Sequence, residues 1–460
     1  MTQPEKPVDT SMGVFGHMRA ILTLGLPLVG SNLAAAGLGV TDTVMMGWYG
    51  VPELAAVVLG SNYLFFFFLF GTGFANAIIG RVSMALGADD ETQARRDTRM
   101  ALWLSILTGL LSIPCMWYSS AVLQALGQNP VTADLAQDYL RIGGFGIVPM
   151  LVVAVLRSYL SAFERTQVVL WVTLGAVGLN IVLNWVFIFG HLGVPEMGVR
   201  GAALASVLVQ LAVMGVLMIY AHRARGLSHV ALWARFWRPD WPAFGAVARM
   251  GIPIGLTILA EATMFQMATL MMGWLGTREL AANGIVLEIS VLAFMLHMGL
   301  ANAATVRAGR AYGAGAPEHL RRGAFTVICM SLVVVALTIT AFLSIPEDIV
   351  RLFVKPGEET AQIVLLASGL LALAAFFQLF DAMQVLAMGL LRGLQDTRVP
   401  MWIALASYWL VGIPAGYGLA FHTTLQSHGV WLGLAAGLAT ASALLMYRFW
   451  VVRGGGRNPA

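Results

Sequence analysis

Long apolar segments, separated by short polar stretches rich in arginine, follow one another along the whole chain. Each segment is long enough to cross a membrane as a helix, because about 20 residues span the roughly 30 Å hydrocarbon core. The pattern predicts twelve transmembrane helices. Their expected bounds are 16–47, 52–80, 97–118, 136–158, 166–190, 198–221, 244–274, 280–306, 323–345, 362–391, 399–421 and 429–451. The chain is therefore predicted to be an all-α integral membrane protein.

The composition agrees with a chain that lies in lipid. Of the 460 residues, 58% are hydrophobic and only 11% are charged, whereas a soluble globular protein carries about 25% charged residues. A formal net charge of +4 would suggest nucleic-acid binding in a soluble protein, but here the placement of the arginines explains it. We expect membrane lipid as a partner and no nucleic acid.

Basic residues concentrate at alternate ends of the predicted helices. Most of the 27 Lys and Arg residues fall on the side that holds the N-terminus, Lys6 and Arg457 among them. The exceptions are Arg141, Arg200, Arg278, Arg351 and Lys355. Because lysine and arginine near helix ends favour the cytoplasmic side of a membrane, both termini are predicted to be cytoplasmic.

The sequence repeats itself at an offset of 226 residues. The segment VMMGWYGVPELAAV (44–57) aligns with LMMGWLGTRELAAN (270–283), and the same offset pairs Pro27 with Pro253. A repeat of this length indicates a duplicated structural unit. Prolines at matching places in the first and seventh helices are suited to helices that bend as they move, although proline in a membrane helix often serves packing alone.

The repeat divides the chain into two predicted six-helix halves, 1–222 and 244–460, joined by a cytoplasmic interfacial linker, 223–243. Since six is even, both halves enter the membrane in the same orientation, and a pseudo-two-fold axis along the membrane normal is expected. Transporters use such pairs of bundles, with a site near the midplane that is exposed alternately to each side. The linker interleaves tryptophan with arginine, residues that favour the membrane interface.

Four acidic residues lie well inside the predicted helices: Asp42, Glu261, Glu288 and Asp381. A charge at the helix centre costs at least about 2.5 kcal/mol, so such residues are candidates for function. Glu261 and Asp381 lie about 18 and 16 Å from the nearest basic helix ends and so share a depth. Glu288 lies in the outer half, where a polar vestibule is the alternative. None of the four recurs in the other half, which favours function over scaffolding.

Two asparagines, Asn180 and Asn184, stand four residues apart on one face of the fifth helix. With Asp42 they are predicted to form a polar site in the N-terminal half, for substrate or for a proton. The alternative is hydrogen bonding between helices, which amide side chains provide in membranes.

The energy source is predicted to be an ion gradient. The only lysines, Lys6 and Lys355, do not lie in a phosphate-binding GxxxxGK[ST] motif, and hydrolase motifs such as HExxH are absent from the sequence. Glu261 and Asp381 are candidate ligands for Na⁺, because hard cations prefer oxygen ligands. They are equally suited to share a proton, because burial and like charge both disfavour a second negative charge. A cationic organic substrate that competes for the same charge would give antiport.

Four segments together resemble the multidrug and toxic compound extrusion (MATE) transporters, in their NorM-like bacterial branch. They are VTDTVMMGWYG, GLNIVLNWVFIFG, VRAGRAYGAGAPEHLRR and FFQLFDAMQVLAMGLLRGLQDTRVP. The resemblance covers nearly the whole chain. It implies a monomeric transporter, not an enzyme, in the bacterial inner membrane, that exports cationic or amphipathic compounds in exchange for Na⁺ or H⁺ and needs no cofactor.

The resemblance also implies roles for the candidate residues. Glu261 and Asp381 fall at the family's cation site in the C-terminal half, and Asp42, Asn180 and Asn184 match positions implicated in the N-terminal half. Some members have a tyrosine one turn before the aspartate of the tenth helix, where this sequence has Phe377. Without that hydroxyl, the choice between Na⁺ and H⁺ stays open.

The nearest alternative within the same superfamily is a flippase for lipid-linked saccharides. Such a protein must accommodate a diphosphate and would be expected to place arginines in its central cavity. The predicted interior carries acids only, which favours drug export.

Overall fold

The structure, a computed structural model, describes residues 13–354, 357 and 360–453. Lys6, Lys355 and Arg457, which enter the topology prediction, lie outside these residues. Within them, twelve helices are long and apolar enough to cross a membrane, as predicted. They are α1 Val14–Tyr49, α2 Val51–Gly87, α3 Glu91–Trp117, α4 Pro130–Ala162, α5 Thr166–Phe189, α6 Gly198–Arg223, α7 Trp241–Leu275, α8 Thr277–Gly313, α9 Pro317–Ser344, α10 Thr360–Gly393, α11 Arg398–Phe421 and α12 Gln426–Val452.

Several helices extend beyond the apolar segments that predicted them, and α3 begins at Glu91 rather than at 97. Hydropathy marks the part of a helix that lies in hydrocarbon, whereas backbone hydrogen bonding continues into the polar interface. Capping side chains fix the starts. Asp90 accepts a hydrogen bond from the Gln93 backbone N–H at 2.8 Å before α3, and Asn129 accepts one from Val131 at 2.9 Å before α4.

The chain divides into two compact units. We call Gly30–Gly255 the N-unit, and the described residues of 13–29 and 256–453 the C-unit. Both boundaries fall inside a helix, just after Pro27 in α1 and just after Pro253 in α7. The paired prolines therefore mark the points at which each helix passes from one unit to the other.

The units differ from the predicted halves 1–222 and 244–460 in one respect. The first turns of α1 belong to the C-unit, and the first turns of α7 belong to the N-unit. The core of the N-unit is built from aliphatic side chains of α2, α3, α4 and α6, with Leu156 and Leu160 fully buried.

The predicted linker 223–243 runs mainly through turns, and its contacts tie it to α3. Arg99 donates a hydrogen bond to the Ala234 carbonyl at 2.7 Å, and Arg96 forms an ion pair with Asp240. The hydrogen bonds from Arg96 hold the pKa of the Asp240 carboxyl below its usual range. The interfacial position of the linker stays a prediction.

A close helix crossing occurs at equivalent places in both units. In the N-unit, Gly73 of α2 lies against the backbone of Gly251 in α7, and in the C-unit Gly299 of α8 lies against Gly25 of α1. Glycine lets two helix backbones approach closely in a membrane. The offset of 226 residues relates the two crossings, so the duplicated sequence has produced a duplicated contact.

Gly73→Ala is expected to destabilise the N-unit, because the new methyl group would collide with the backbone of α7. Overpacking of a tight interior costs about 1 to 3 kcal/mol. The midpoint of thermal unfolding of the detergent-purified protein should fall. Gly215→Ala is the control, since a side chain there would meet open space and alanine favours helix by up to about 1 kcal/mol. Equal midpoints for the two variants would contradict the crossing.

Candidate functional site

Asp42 accepts hydrogen bonds from three side chains within the N-unit. Asn180 and Asn184 of α5 donate to its Oδ1 at 3.0 and 2.6 Å, and Ser206 of α6 donates to its Oδ2 at 3.0 Å. The structure thus brings together the three residues predicted for this site. Asn180 and Asn184 are fully buried, and Asp42 is partly exposed.

The carboxylate of Asp42 is held in position by this arrangement. Asn184 Nδ2 also lies 3.3 Å from Asn180 Oδ1, so the two amides form a pair that faces the acid. Hydrogen bonds to an ionised acceptor are about twice as strong as those between neutral groups. Ser206 is a member that sequence analysis missed, because one serine in the small-residue sequence GAALASVLV carries no signal of its own.

Glu261 of α7 and Asp381 of α10 interact electrostatically within the C-unit. Asp381 is 3% exposed, whereas Glu261 is partly exposed. The two carboxyl groups predicted to share a depth therefore lie near each other. One of the pair is reached by solvent, and the other is enclosed by protein.

Several oxygen atoms around Asp381 lack hydrogen-bond partners. Asp381 Oδ1, Gln378 Oε1, Gln384 Oε1 and Ser290 Oγ are all buried and unpaired within the described chain. Buried polar atoms are almost always satisfied, and each exception needs an explanation. A hard cation that takes oxygen ligands, or a proton on the carboxyl group, would satisfy this set. The donor chemistry thus fits either coupling ion.

The described residues contain no group of three or more His, Cys, Asp or Glu side chains placed to hold a metal ion. A cation held by Glu261 and Asp381 would therefore draw its remaining ligands from amide, hydroxyl or backbone oxygens. Such a mixed oxygen site is suited to an ion that must be released again.

A tyrosine hydroxyl reaches the acidic pair from another helix. Tyr408, in a π-helical stretch of α11, accepts a hydrogen bond from Gln384 at 2.7 Å and interacts electrostatically with Glu261 and Asp381. Phe377 packs instead against aromatic rings, with its ring centroid 5.4 Å from that of Trp431. π-helical turns are frequent at functional sites. The hydroxyl that is missing at Phe377 thus has a counterpart that only the fold reveals.

Two arginines have interior contacts that the sequence did not predict. Arg392 of α10 interacts electrostatically with Glu261 in the C-unit. In the N-unit, Arg157 of α4 donates hydrogen bonds to Ser31 at 3.0 Å and to Asn32 at 3.5 Å. Sequence analysis counted both with the cytoplasmic helix ends, because a long side chain can extend far from its own backbone. The expectation that the interior carries acids only is therefore wrong.

Glu288 does not join the acidic pair in the structure. It lies on α8 with an exposed side chain, and within the described residues no hydrogen bond or ion pair connects it to Glu261 or Asp381. Its predicted role in ion binding stays a prediction.

Comparison with known proteins gives an independent view of the chain. The family model described as MatE matches residues 27–186 and, a second time, residues 253–418. The two matches begin at Pro27 and Pro253, the prolines paired by the repeat. One model that fits twice at this spacing confirms the internal duplication.

Relatives are similar over almost their full length. The chain is 42% identical to the "Probable multidrug resistance protein NorM" of Rhizobium meliloti, over 94% of this chain and 93% of that protein. It is 40% identical to the protein of the same name from Agrobacterium fabrum, over 95% and 94% of the two chains.

Solved structures share the fold. One described as "Crystal structure of MATE in complex with MaD3S" superposes with a TM-score of 0.87 at 19% identity, over 99% of this chain and 100% of that one. The eukaryotic MATE transporter AtDTX14 gives 0.83 at 20% identity, over 97% and 99%. A family model that matches both halves, and relatives at about two-fifths identity, show that this chain belongs to the MatE family of membrane transporters and is not an enzyme.

Proposed function

We propose that this protein exports cationic or amphipathic xenobiotics from the cytoplasm in exchange for Na⁺ or H⁺, by alternating access. The observation that carries the proposal is the buried Asp381 carboxyl, which has one oxygen unpaired and lies beside Glu261. An acid is costly at membrane depth unless a counter-charge or a proton accompanies it. Relatives named multidrug resistance proteins support the substrate class.

In this proposal the acidic pair is the coupling-ion site, and Arg392 takes part in it. When no ion is bound, Arg392 partly neutralises Glu261, with which it interacts. An arriving cation competes with Arg392 for the carboxylate, and a proton removes the charge that holds the arginine. Either ion would therefore release Arg392, so that ion binding changes the contacts between α7 and α10.

The polar site around Asp42 is the proposed site for substrate or for a proton. Its three donors hold an acceptor-only carboxylate, which leaves a negative charge for an organic cation. The protein is further proposed to act as a monomer in the bacterial inner membrane, with both termini cytoplasmic. The arginine-rich helix ends support that orientation.

A flippase for lipid-linked saccharides is the second candidate, and the interior contacts of Arg157 and Arg392 favour it. A diphosphate would need such cations. However, Arg392 faces an acid, and the names of the relatives point to drug resistance. Drug export is therefore the preferred proposal.

Expression in cells that lack their own exporters should raise tolerance to cationic dyes such as ethidium, because the dye is removed from the cytoplasm. Growth at increasing dye concentration and loss of dye fluorescence from preloaded cells are the measurements. Cells that make the Glu261→Gln/Asp381→Asn variant at equal membrane level are the control. Equal tolerance in the two strains would contradict the proposal.

The coupling ion is decided in proteoliposomes of defined composition. Sodium is replaced by choline at a fixed proton gradient, and dye transport is followed. Transport that stops on replacement assigns Na⁺, and transport that continues but stops when the proton gradient is dissipated assigns H⁺. Transport driven by neither gradient would overturn the antiport mechanism.

A further inference from the structure

A cluster of three basic side chains joins three helices of the C-unit, away from the acidic pair. Arg307 of α8 forms hydrogen bonds with His17 Nδ1 of α1 at 3.3 Å and with His319 Nε2 of α9 at 3.1 Å. The centroids of the two imidazole rings are 4.4 Å apart. His17 is fully buried and His319 is 6% exposed.

The N-unit holds an ion pair at the equivalent place. Arg81 of α2 contacts Asp97 of α3 at 2.9 Å, and Gln93 donates a second hydrogen bond to the same oxygen at 2.8 Å. The offset of 226 residues relates Arg81 to Arg307, so the duplicated arginine has kept its position. The acid of the N-unit is what its C-unit counterpart lacks.

The missing acid is replaced by a histidine from another helix. The same offset relates Asp97 to Gly323, Gln93 to His319 and Ala243 to His17. A side chain at Gly323 would lie only 3.3 Å from His17 Nδ1. The His17 ring therefore occupies the space next to the arginine that a carboxylate would need. A permanent ion pair in one unit corresponds to a pair of titratable imidazoles in the other.

These hydrogen bonds fix the protonation of both histidines. A guanidinium group only donates hydrogen bonds, so each imidazole nitrogen that faces Arg307 must accept. A neutral imidazole has one accepting nitrogen, and an imidazolium ion has none. Protonation of either ring would therefore break a hydrogen bond and would place a second positive charge beside Arg307.

No other charge around the cluster would offset that repulsion. His17 faces Arg307 from α8 and both His319 and Arg322 from α9. The exposed Glu318 lies 3.7 Å from Arg322, and α10 contributes the apolar Leu390 to the small cavity of about 10 Å³ beside the rings. The surroundings of His17 are thus positive or apolar.

We propose that His17, Arg307 and His319 form a proton-binding site, separate from the membrane carboxylates, that ties the first turns of α1 to α8 and α9 when neutral and releases them when protonated. Histidine is the side chain that changes charge between about pH 5 and about pH 8. In the predicted topology the site lies at the cytoplasmic ends of these helices, so acidification of the cytoplasm would loosen this contact. The proposal does not depend on which ion drives transport.

The test replaces each histidine by an amide that keeps its accepting atom but cannot titrate. Asn places Oδ1 near the position of histidine Nδ1, and Gln places Oε1 near that of Nε2, so the variant is His17→Asn/His319→Gln. Thermal unfolding of the detergent-purified full chain is measured from about pH 8 to about pH 5. The wild type is expected to lose more of its unfolding midpoint on acidification than the variant, because its unfolded chain binds protons that the folded cluster excludes.

His222→Asn is the control, since His222 is an exposed histidine outside the cluster, and its pH profile should match the wild type. If the double variant does not fold, the ion pair of the N-unit is transplanted instead, as His17→Ala/His319→Gln/Gly323→Asp, and the same flattening is expected. A midpoint that falls equally with pH in the wild type and in the amide or transplant variant would overturn the proposal.

Discussion

Glu261→Gln and Asp381→Asn are each expected to abolish ion-driven export, while the protein still reaches the membrane. Each change keeps the size of the side chain but removes the charge that a cation or proton needs. A contact to a charged group is worth about 1.5 to 3 kcal/mol, which corresponds to a loss of roughly tenfold to a hundredfold in transport at limiting ion concentration. Dye efflux from proteoliposomes under an imposed ion gradient is the measurement.

Glu347→Gln is the matched control, because Glu347 pairs with Arg351 on an exposed surface and such pairs contribute about 0 to 1 kcal/mol. Undiminished ion-driven transport in either acidic variant would remove that residue from the proposed site. Glu288→Gln, measured alongside, decides whether the exposed acid of α8 belongs with the pair: a loss as large as that of Glu261→Gln would include it, and a normal rate would exclude it.

Asp42→Asn is expected to reduce export by at least about tenfold, since hydrogen bonds to a charged acceptor are worth about 1.5 to 3 kcal/mol. The new amide would bring one N–H group against donors that now face a carboxylate, those of Asn180, Asn184 and Ser206. Export rates at limiting substrate are compared with those of Asp138→Asn, a control that removes an exposed ion pair with Arg200.

A charge exchange makes the second prediction sharper. Asp42→Asn/Asn184→Asp returns one carboxylate to the same hydrogen-bonded group, with acid and amide on opposite helices. We expect it to recover part of the export that Asp42→Asn loses, because the site needs one negative charge facing amide donors. Full export by Asp42→Asn alone would show that Asp42 serves only to hold α1, α5 and α6 together.

The candidate sites were predictable to different degrees. Asp42, Asn180 and Asn184 were grouped from depth and helical spacing, and the structure brings them into direct contact. Glu261 and Asp381 were paired by depth alone and do lie near each other. Glu288 shared no depth with them, and its contacts in the structure give no reason to add it.

The partners of these acids were not predictable. Tyr408 and Ser206 are common residues in helices with no polar pattern, and nothing in their spacing relates them to an acid on another helix. Arg392 was assigned to a helix end by its place in the sequence, yet its side chain interacts with Glu261. Side-chain reach and helix rotation decide such contacts, and neither is encoded in hydropathy.

The sequence by itself determined the number of helices, the duplication and the presence of acids at membrane depth. It could do so because a backbone in hydrocarbon must satisfy its own hydrogen bonds, so a long apolar segment has to be a helix. Only the tertiary structure decided which side chains meet: the passage of α1 and α7 between units after Pro27 and Pro253, and the place of His17 beside Arg307. Contacts between residues hundreds of positions apart arise from helix packing, and the duplicated sequence could not reveal that a histidine had replaced an acid.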